Sequence, residues 1–217
     1  MDAIRIETGA RPGAAVLWLH GLGADGHDFE PIVPELDLSG VAPVRFVFPH
    51  APVQPVTLNG GMAMRAWYDI FQLGGGAEDE KGIRASQGLL EEMIREEKAK
   101  GIEADRVVLA GFSQGGAIAL QTALRHPARL AGVMALSTYL PIAGTLAREK
   151  SAASQGVPIF MAHGSYDDVI PLRRAEDSRR MLEAQGYAVE WRTYPMPHSV
   201  CGPEIADLSA FLRRVLA

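Results

Sequence analysis

The sequence predicts an α/β fold, a doubly wound and mostly parallel sheet flanked by helices. Three observations lead there. Short runs rich in Val, Ile, Leu, Phe and Met alternate along the chain with longer stretches of helical periodicity. Most of these runs lack the in–out alternation of a half-solvated strand, as expected of strands covered on both faces. The strand–helix order repeats, which is the signature of βαβ units.

Taken in order, Ala3–Glu7 alternates apolar and polar residues and reads as an edge strand. Short apolar runs, most of them nearly continuous, follow at Ala15–Leu19, Val44–Phe48, Arg106–Ala110, Gly132–Leu136, Pro158–Ala162 and Val189–Tyr194. Helices are expected at Asp28–Leu36, Ile83–Lys100, Gln114–His126, Arg173–Gln185 and Pro203–Val215. The charged stretch Glu91–Lys100 reads as the solvated face of an amphipathic helix. The segment Pro49–Glu80 breaks the alternation, with prolines near its start, glycines clustered toward its end, and Trp67, Tyr68 and Phe71 between. Long loops inside compact domains commonly serve as lids or binding loops. The 217 residues therefore read as one domain, 1–217, with an insertion at about 49–80.

Composition narrows the function. A net charge of −5 offers no basic field for nucleic acid or anionic lipid. The single cysteine, Cys201, excludes an intrachain disulfide and fits a reducing compartment. No apolar run reaches the roughly 20 residues of a membrane helix, and Met1–Glu7 lacks the apolar core of a signal peptide. A cytoplasmic protein is expected.

The run Arg106–Ala110 leads into Gly111-Phe112-Ser113-Gln114-Gly115-Gly116 and then into a helical pattern. This is G-x-S-x-G between a strand and a helix, the context in which a serine is held on a sharp turn above a sheet. Larger side chains at 111 and 115 would collide as strand and helix close up. A nucleophilic serine needs a base and an orienting acid, and on such a scaffold they follow in the order acid, then histidine. Pro158–Ala162 leads into His163-Gly164-Ser165-Tyr166-Asp167-Asp168, so Asp167 and Asp168 both qualify as the acid, or either could cap the next helix. Val189–Tyr194 leads into Pro195-Met196-Pro197-His198, which makes His198 the candidate base. His126 reads as a helix-end residue and His163 as a satisfied core histidine.

The first long run ends in His20-Gly21-Leu22-Gly23. Backbone N–H groups of Leu22 and of Gln114, the residue after the serine, would form an oxyanion hole. The same loop matches Gly21-x-Gly23-x-x-Gly26, but the next strand ends in Pro49-His50 rather than in the acid that a dinucleotide ribose requires. Asp25, His27 and Asp28 read as turn and N-cap residues rather than metal ligands. Cys201 lacks an elbow and reads as an incidental thiol. No metal or organic cofactor is expected.

Together the motifs resemble the phospholipase/carboxylesterase family of α/β-hydrolases, which includes carboxylesterases and acyl-protein thioesterases. The resemblance rests on His20-Gly21-Leu22-Gly23 with Gly26-His27-Asp28, Met64-Arg65-Ala66-Trp67-Tyr68-Asp69-Ile70, Gly111–Gly116, His163-Gly164-x-x-Asp167 and His198, spread over most of the chain. It implies Ser113 as nucleophile, Asp167 as acid, His198 as base, and Leu22 and Gln114 as oxyanion donors. Asp168 stands where many members carry proline. Trp67 would lie beside the acyl site, and the 49–80 insertion would help form it, with Leu22, Leu58, Met64 and Phe71 as further substrate contacts. Implied substrates are short- to medium-chain acyl esters, lysophospholipids or S-acylated proteins, and some members are homodimers. Rival readings are a dienelactone-type hydrolase or peptidase on the same scaffold, and a ligand-binding module that has lost catalysis. The apolar stretch Leu58–Leu73 could also serve a membrane surface or a dimer contact.

Overall fold

The structure, a computed structural model, describes residues 1–72 and 76–217. In chain order, β1 (Ala3–Glu7), β2 (Ala14–Leu19) and β3 (Val44–Pro49) lead to a hairpin of β4 (Val53–Val56) and β5 (Met62–Arg65). Then come α1 (Glu80–Ala99), β6 (Val107–Phe112), α2 (Gln114–Arg125), β7 (Gly132–Leu136) and the short α3 (Leu146–Glu149). β8 (Ile159–Gly164), α4 (Leu172–Ala184), β9 (Val189–Tyr194) and α5 (Gly202–Val215) complete the chain. Seven strands form one sheet in the order β1-β3-β2-β6-β7-β8-β9. Only the edge strand β1 runs antiparallel. β4 and β5 pair with each other apart from that sheet.

Successive residues of the central strands feed two separate cores. Leu17 and Leu19 of β2, Leu109 of β6 and Val133 of β7 pack with Ile83, Leu90 and Ile94 of α1 and Ile118 and Leu120 of α2. Val16, Trp18, Val108, Ala110, Met134 and Leu136 join Leu208, Phe211 and Leu212 of α5 on the opposite face. Neighbouring strand residues point to opposite faces, and here both faces are dry. That is why these strands read as unbroken apolar runs. β9, at the far edge, is half-exposed over most of its length.

The helix expected at Asp28–Leu36 is instead a 3₁₀ helix, Glu30–Glu35. Pro31 and Pro34 have no N–H to donate, so an i→i−4 ladder cannot form. The bonds present span three residues, Ile32 N to Phe29 O at 3.1 Å and Leu36 N to Val33 O at 3.3 Å. β6 begins at Val107, because Arg106 closes a 3₁₀ turn with Ala104 and Asp105. α1 begins ahead of Ile83, where the carboxylate of Asp79 accepts from Gly82 N at 2.9 Å as an N-cap. The polar residues Glu80-Lys81-Gly82 gave the apolar periodicity nothing to register. α3, with 3₁₀ turns at Ala143–Thr145 and Ala152–Ser154, fills the connection between β7 and β8, where no element was expected.

The described residues of the 49–80 segment fold as the β4–β5 hairpin followed by a strap across the sheet's C-terminal rim. Leu58 N donates to Ile70 O at 2.8 Å, and Asp69 N donates to the Asp79 carboxylate at 2.9 Å, which ties the strap to α1. Leu73, the end of the apolar stretch, lies outside the described residues. Among the described residues no helix is long and apolar enough to cross a membrane.

Candidate active site

β6 ends at Phe112 and α2 begins at Gln114, which leaves Ser113 alone in the turn at φ 56° and ψ −122°. A positive φ is costly for a residue with a Cβ, and neighbouring bonds hold it in place. Ser113 N donates to Leu136 O at 2.9 Å, while Ser113 O accepts from Ala117 N at 3.1 Å and from Thr138 Oγ1 at 2.6 Å. The flanking glycines are required by contact. A Cβ on Gly115 would stand 2.3 Å from Leu19 O, and one on Gly111 would stand 2.3 Å from the Gly115 carbonyl carbon. Gln114, at the first position of α2, has a backbone N–H without an intrahelical acceptor.

The turn after β8 carries Asp167 with its carboxylate fully buried. Oδ1 accepts from Val169 N at 3.0 Å and Ile170 N at 2.8 Å. Oδ2 stands 2.7 Å from His198 Nδ1. Of the two aspartates, Asp167 meets the histidine and Asp168 is exposed. With Nδ1–H donated to the carboxylate, Nε2 of His198 is left as an acceptor. The His198 ring packs on Phe112, the residue before the serine, at 4.6 Å between centroids. The Asp167 turn and the His198 loop are bound directly to each other, Tyr166 N donating to Met196 O at 3.1 Å. Gly164 makes that possible, since a Cβ there would stand 2.4 Å from both Met196 O and Pro197 O. Ser113, Asp167 and His198 thus gather beyond the C-terminal ends of β6, β8 and β9.

The loop after β2 is fixed from behind. His20 is buried, its Nδ1 2.7 Å from Gly21 O, and its Nε2 accepts from Ala51 N at 3.0 Å. Burial lowers its pKa, so the ring is neutral and its two nitrogens have opposite roles. Gly23 N donates to Arg65 O at 2.8 Å, which joins this loop to β5. The Gln114 side chain, 2% exposed, makes a second clamp. Its Oε1 accepts from Trp67 N at 2.8 Å and its Nε2 donates to Tyr68 O at 2.7 Å. Sequence reasoning gave the Gln114 side chain no part, since only its backbone was needed.

A cleft open to solvent begins at Ser113, Gln114 and Leu22. Leu58, Ile70, Phe71, Val169 and Ile170 form its apolar walls. Trp67 and Met64, both expected at the substrate, are absent from this lining. Trp67 is 3% exposed and donates from Nε1 to His20 O at 2.9 Å, so it serves as a strut behind the His20–Gly23 loop. The Met64 thioether accepts from Asn59 Nδ2 at 3.2 Å within the hairpin. The cleft also has a polar corner that the sequence did not announce, made of Tyr68, Glu78, Tyr139 and Arg174. Tyr68 and Tyr139 share a hydroxyl–hydroxyl bond of 2.8 Å, and the Arg174 guanidinium lies 3.4 Å from the Tyr139 ring centre. Arg174 comes within 3.9 Å of Glu78, beyond hydrogen-bond range, and burial raises the Glu78 pKa. These four residues come from two separate loops and one helix, and no local pattern links them.

The sheet order and the gathering of these groups at its C-terminal rim define the class, an α/β-hydrolase. The phospholipase/carboxylesterase family model matches residues 1–216, and the chain belongs to that family. It is 40% identical over 229 residues to acyl-protein thioesterase 1 of Mycosarcoma maydis, covering 98% of this chain and 95% of that one. It is 41% identical over 213 residues to the protein of the same name from Neurospora crassa, covering 94% of this chain and 87% of that one. The crystal structure of SOBER1 from Arabidopsis thaliana superposes with a TM-score of 0.89 at 30% identity, covering 94% of this chain and 99% of that chain. Zea mays acyl-protein thioesterase 2 gives 0.85 at 25% identity over the whole of both chains. The chain is a serine hydrolase of carboxylic esters or thioesters.

Proposed function

We propose that the chain hydrolyses acyl esters and thioesters through an acyl-enzyme on Ser113, with His198 as base and Asp167 as the acid that orients it. The observation that carries this reading is the 2.7 Å contact between His198 Nδ1 and Asp167 Oδ2, beside a serine held at φ 56°. His198 Nε2 takes the Ser113 proton as Oγ attacks the acyl carbon. Backbone N–H groups of Leu22 and Gln114 hold the oxyanion, each such donor being worth about 10²–10³ in rate. The intermediate collapses as His198 returns the proton to the leaving alkoxide, and a thiolate leaves with less help. Water then repeats the sequence and frees Ser113.

The acyl chain lies against Leu22, Leu58, Ile70 and Phe71, so the 49–80 insertion acts as an acyl-binding element. Relatives named acyl-protein thioesterases, about 40% identical over nearly the whole chain, support S-acylated proteins among the natural substrates. The single cysteine fits work in the cytoplasm.

The test is hydrolysis of p-nitrophenyl esters from two to twelve carbons by wild type and Ser113→Ala. Turnover by wild type, with a loss of about 10⁶ in the variant, is the expected result. Wild type inert on every ester, or an unaffected Ser113→Ala, overturns the reading and brings a lactone or peptide substrate forward.

A further inference from the structure

We infer that His163 is a positioning residue for the triad acid, acting through Asp167 without touching substrate. The inference rests on the assignment of Asp167 and His198 proposed above.

His163 is the penultimate residue of β8, with no exposed surface. Its Nε2 stands 2.8 Å from Ile170 O and 3.3 Å from Asp167 Oδ2. A carbonyl can only accept, so Nε2 carries the proton. Nδ1 is then a bare acceptor, and it is buried without a hydrogen-bond partner. A satisfied core histidine, as the sequence suggested, would engage both nitrogens. This ring keeps one nitrogen orphaned, which is a cost to stability, and uses the other at the acid.

The N–H acts on Asp167 in two ways. It pins the carbonyl of Ile170, whose own N–H donates to Asp167 Oδ1 at 2.8 Å. It also holds Nε2, which carries a partial positive charge through its proton, 3.3 Å from Oδ2, the oxygen that His198 engages at 2.7 Å. Both carboxylate oxygens thereby have a partner other than His198. The ring must stay neutral for this, because a proton on Nδ1 would have no acceptor. Burial holds its pKa down. The charged or titratable groups acting on it are Asp167 and Glu176, which raise it, and His198, which lowers it. Trp191 of β9 covers the ring at 6.5 Å between centroids.

The test compares His163→Gln, whose side-chain amide can still donate to Ile170 O, with His163→Leu, which cannot, on wild-type and Asp167→Asn backgrounds. Misplacing a catalytic group by about 1 Å can cost about 100-fold. His163→Leu is therefore expected to lower kcat by about 10- to 100-fold with KM little changed, and His163→Gln to keep most of the activity. On the Asp167→Asn background the leucine is expected to cost nothing further, because the residue it serves is already disabled. If His163→Leu does not fold, His163→Asn, whose shorter amide stops short of Ile170 O, goes through the same cycle. An equal and additive loss on both backgrounds, a loss confined to KM, or a glutamine variant no better than leucine overturns the inference. If Asp167→Asn alone leaves activity intact, the proposed triad fails instead, and the two failures are distinct.

Discussion

The side-chain amide of Gln114 holds the peptide between Trp67 and Tyr68 from both sides, accepting at 2.8 Å from Trp67 N and donating at 2.7 Å to Tyr68 O. The residue after the candidate nucleophile thus joins the elbow to the insertion that walls the cleft. Gln114→Leu would leave two buried backbone groups unpaired, each worth about 1–3 kcal/mol. It should lower the midpoint of urea unfolding by an amount corresponding to at least about 2 kcal/mol. It should also raise KM for acyl esters, since Tyr68, Ile70 and Phe71 would lose their anchor. A variant as stable as wild type would remove Gln114 from this role.

Ser113 sits at φ 56°, where only glycine is relaxed. Such strain costs about 1–3 kcal/mol. Ser113→Gly and Ser113→Ala should both abolish turnover, yet the glycine variant should unfold at higher denaturant than the alanine one. Equal midpoints would show that the elbow is held without strain.

Glu204, in the first turn of α5, is fully buried, and neither carboxylate oxygen has a hydrogen-bond partner. Burial pushes its pKa up to about 8, from the 4.5 usual for a glutamate. Between those two values the unfolded chain gives up the proton and the folded chain keeps it, so stability falls as the pH rises from about 4.5 to about 8 and then levels off. At 1.36 kcal/mol per pKa unit, the shift amounts to roughly 5 kcal/mol at most. Glu204→Gln should flatten this slope and exceed wild type in stability at pH 9. Urea titrations of both proteins at pH 4, 6 and 9 would show it, and parallel pH dependences would contradict it.

Arg174 is the one cation lining the described part of the cleft, and its charge meets any acyl chain that reaches the Tyr139 corner. Arg174→Met would turn that corner apolar. A newly buried methylene is worth about 0.8 kcal/mol, so the octanoyl-to-butyryl ratio of kcat/KM should rise about fourfold or more. An unchanged ratio would mean that the acyl chain never reaches Arg174.

That Ser113, Asp167 and His198 lie on one rim was legible in the sequence because each follows a strand, and in a parallel sheet all such points share one rim. Gly111 and Gly115 were legible for a related reason. The collision they avoid lies between neighbours in the chain, so the spacing itself records it. The segment Asp28–Leu36, where periodicity predicts a helix, holds only the 3₁₀ helix Glu30–Glu35, because apolar periodicity alone does not count missing N–H donors.

The chain by itself determined the order of strands and helices, the two-faced burial of the sheet and the place of the elbow, because these depend on side-chain alternation and on contacts a few residues apart. Only the tertiary structure decided that Trp67 braces His20 instead of lining the cleft, that Gln114 grips the insertion, and that His163 backs Asp167. It also decided which tyrosines and which arginine make the polar corner. These choices rest on hydrogen bonds and packing between segments tens of residues apart, where direction and distance fix the partner. Residue type at one position carries no record of them.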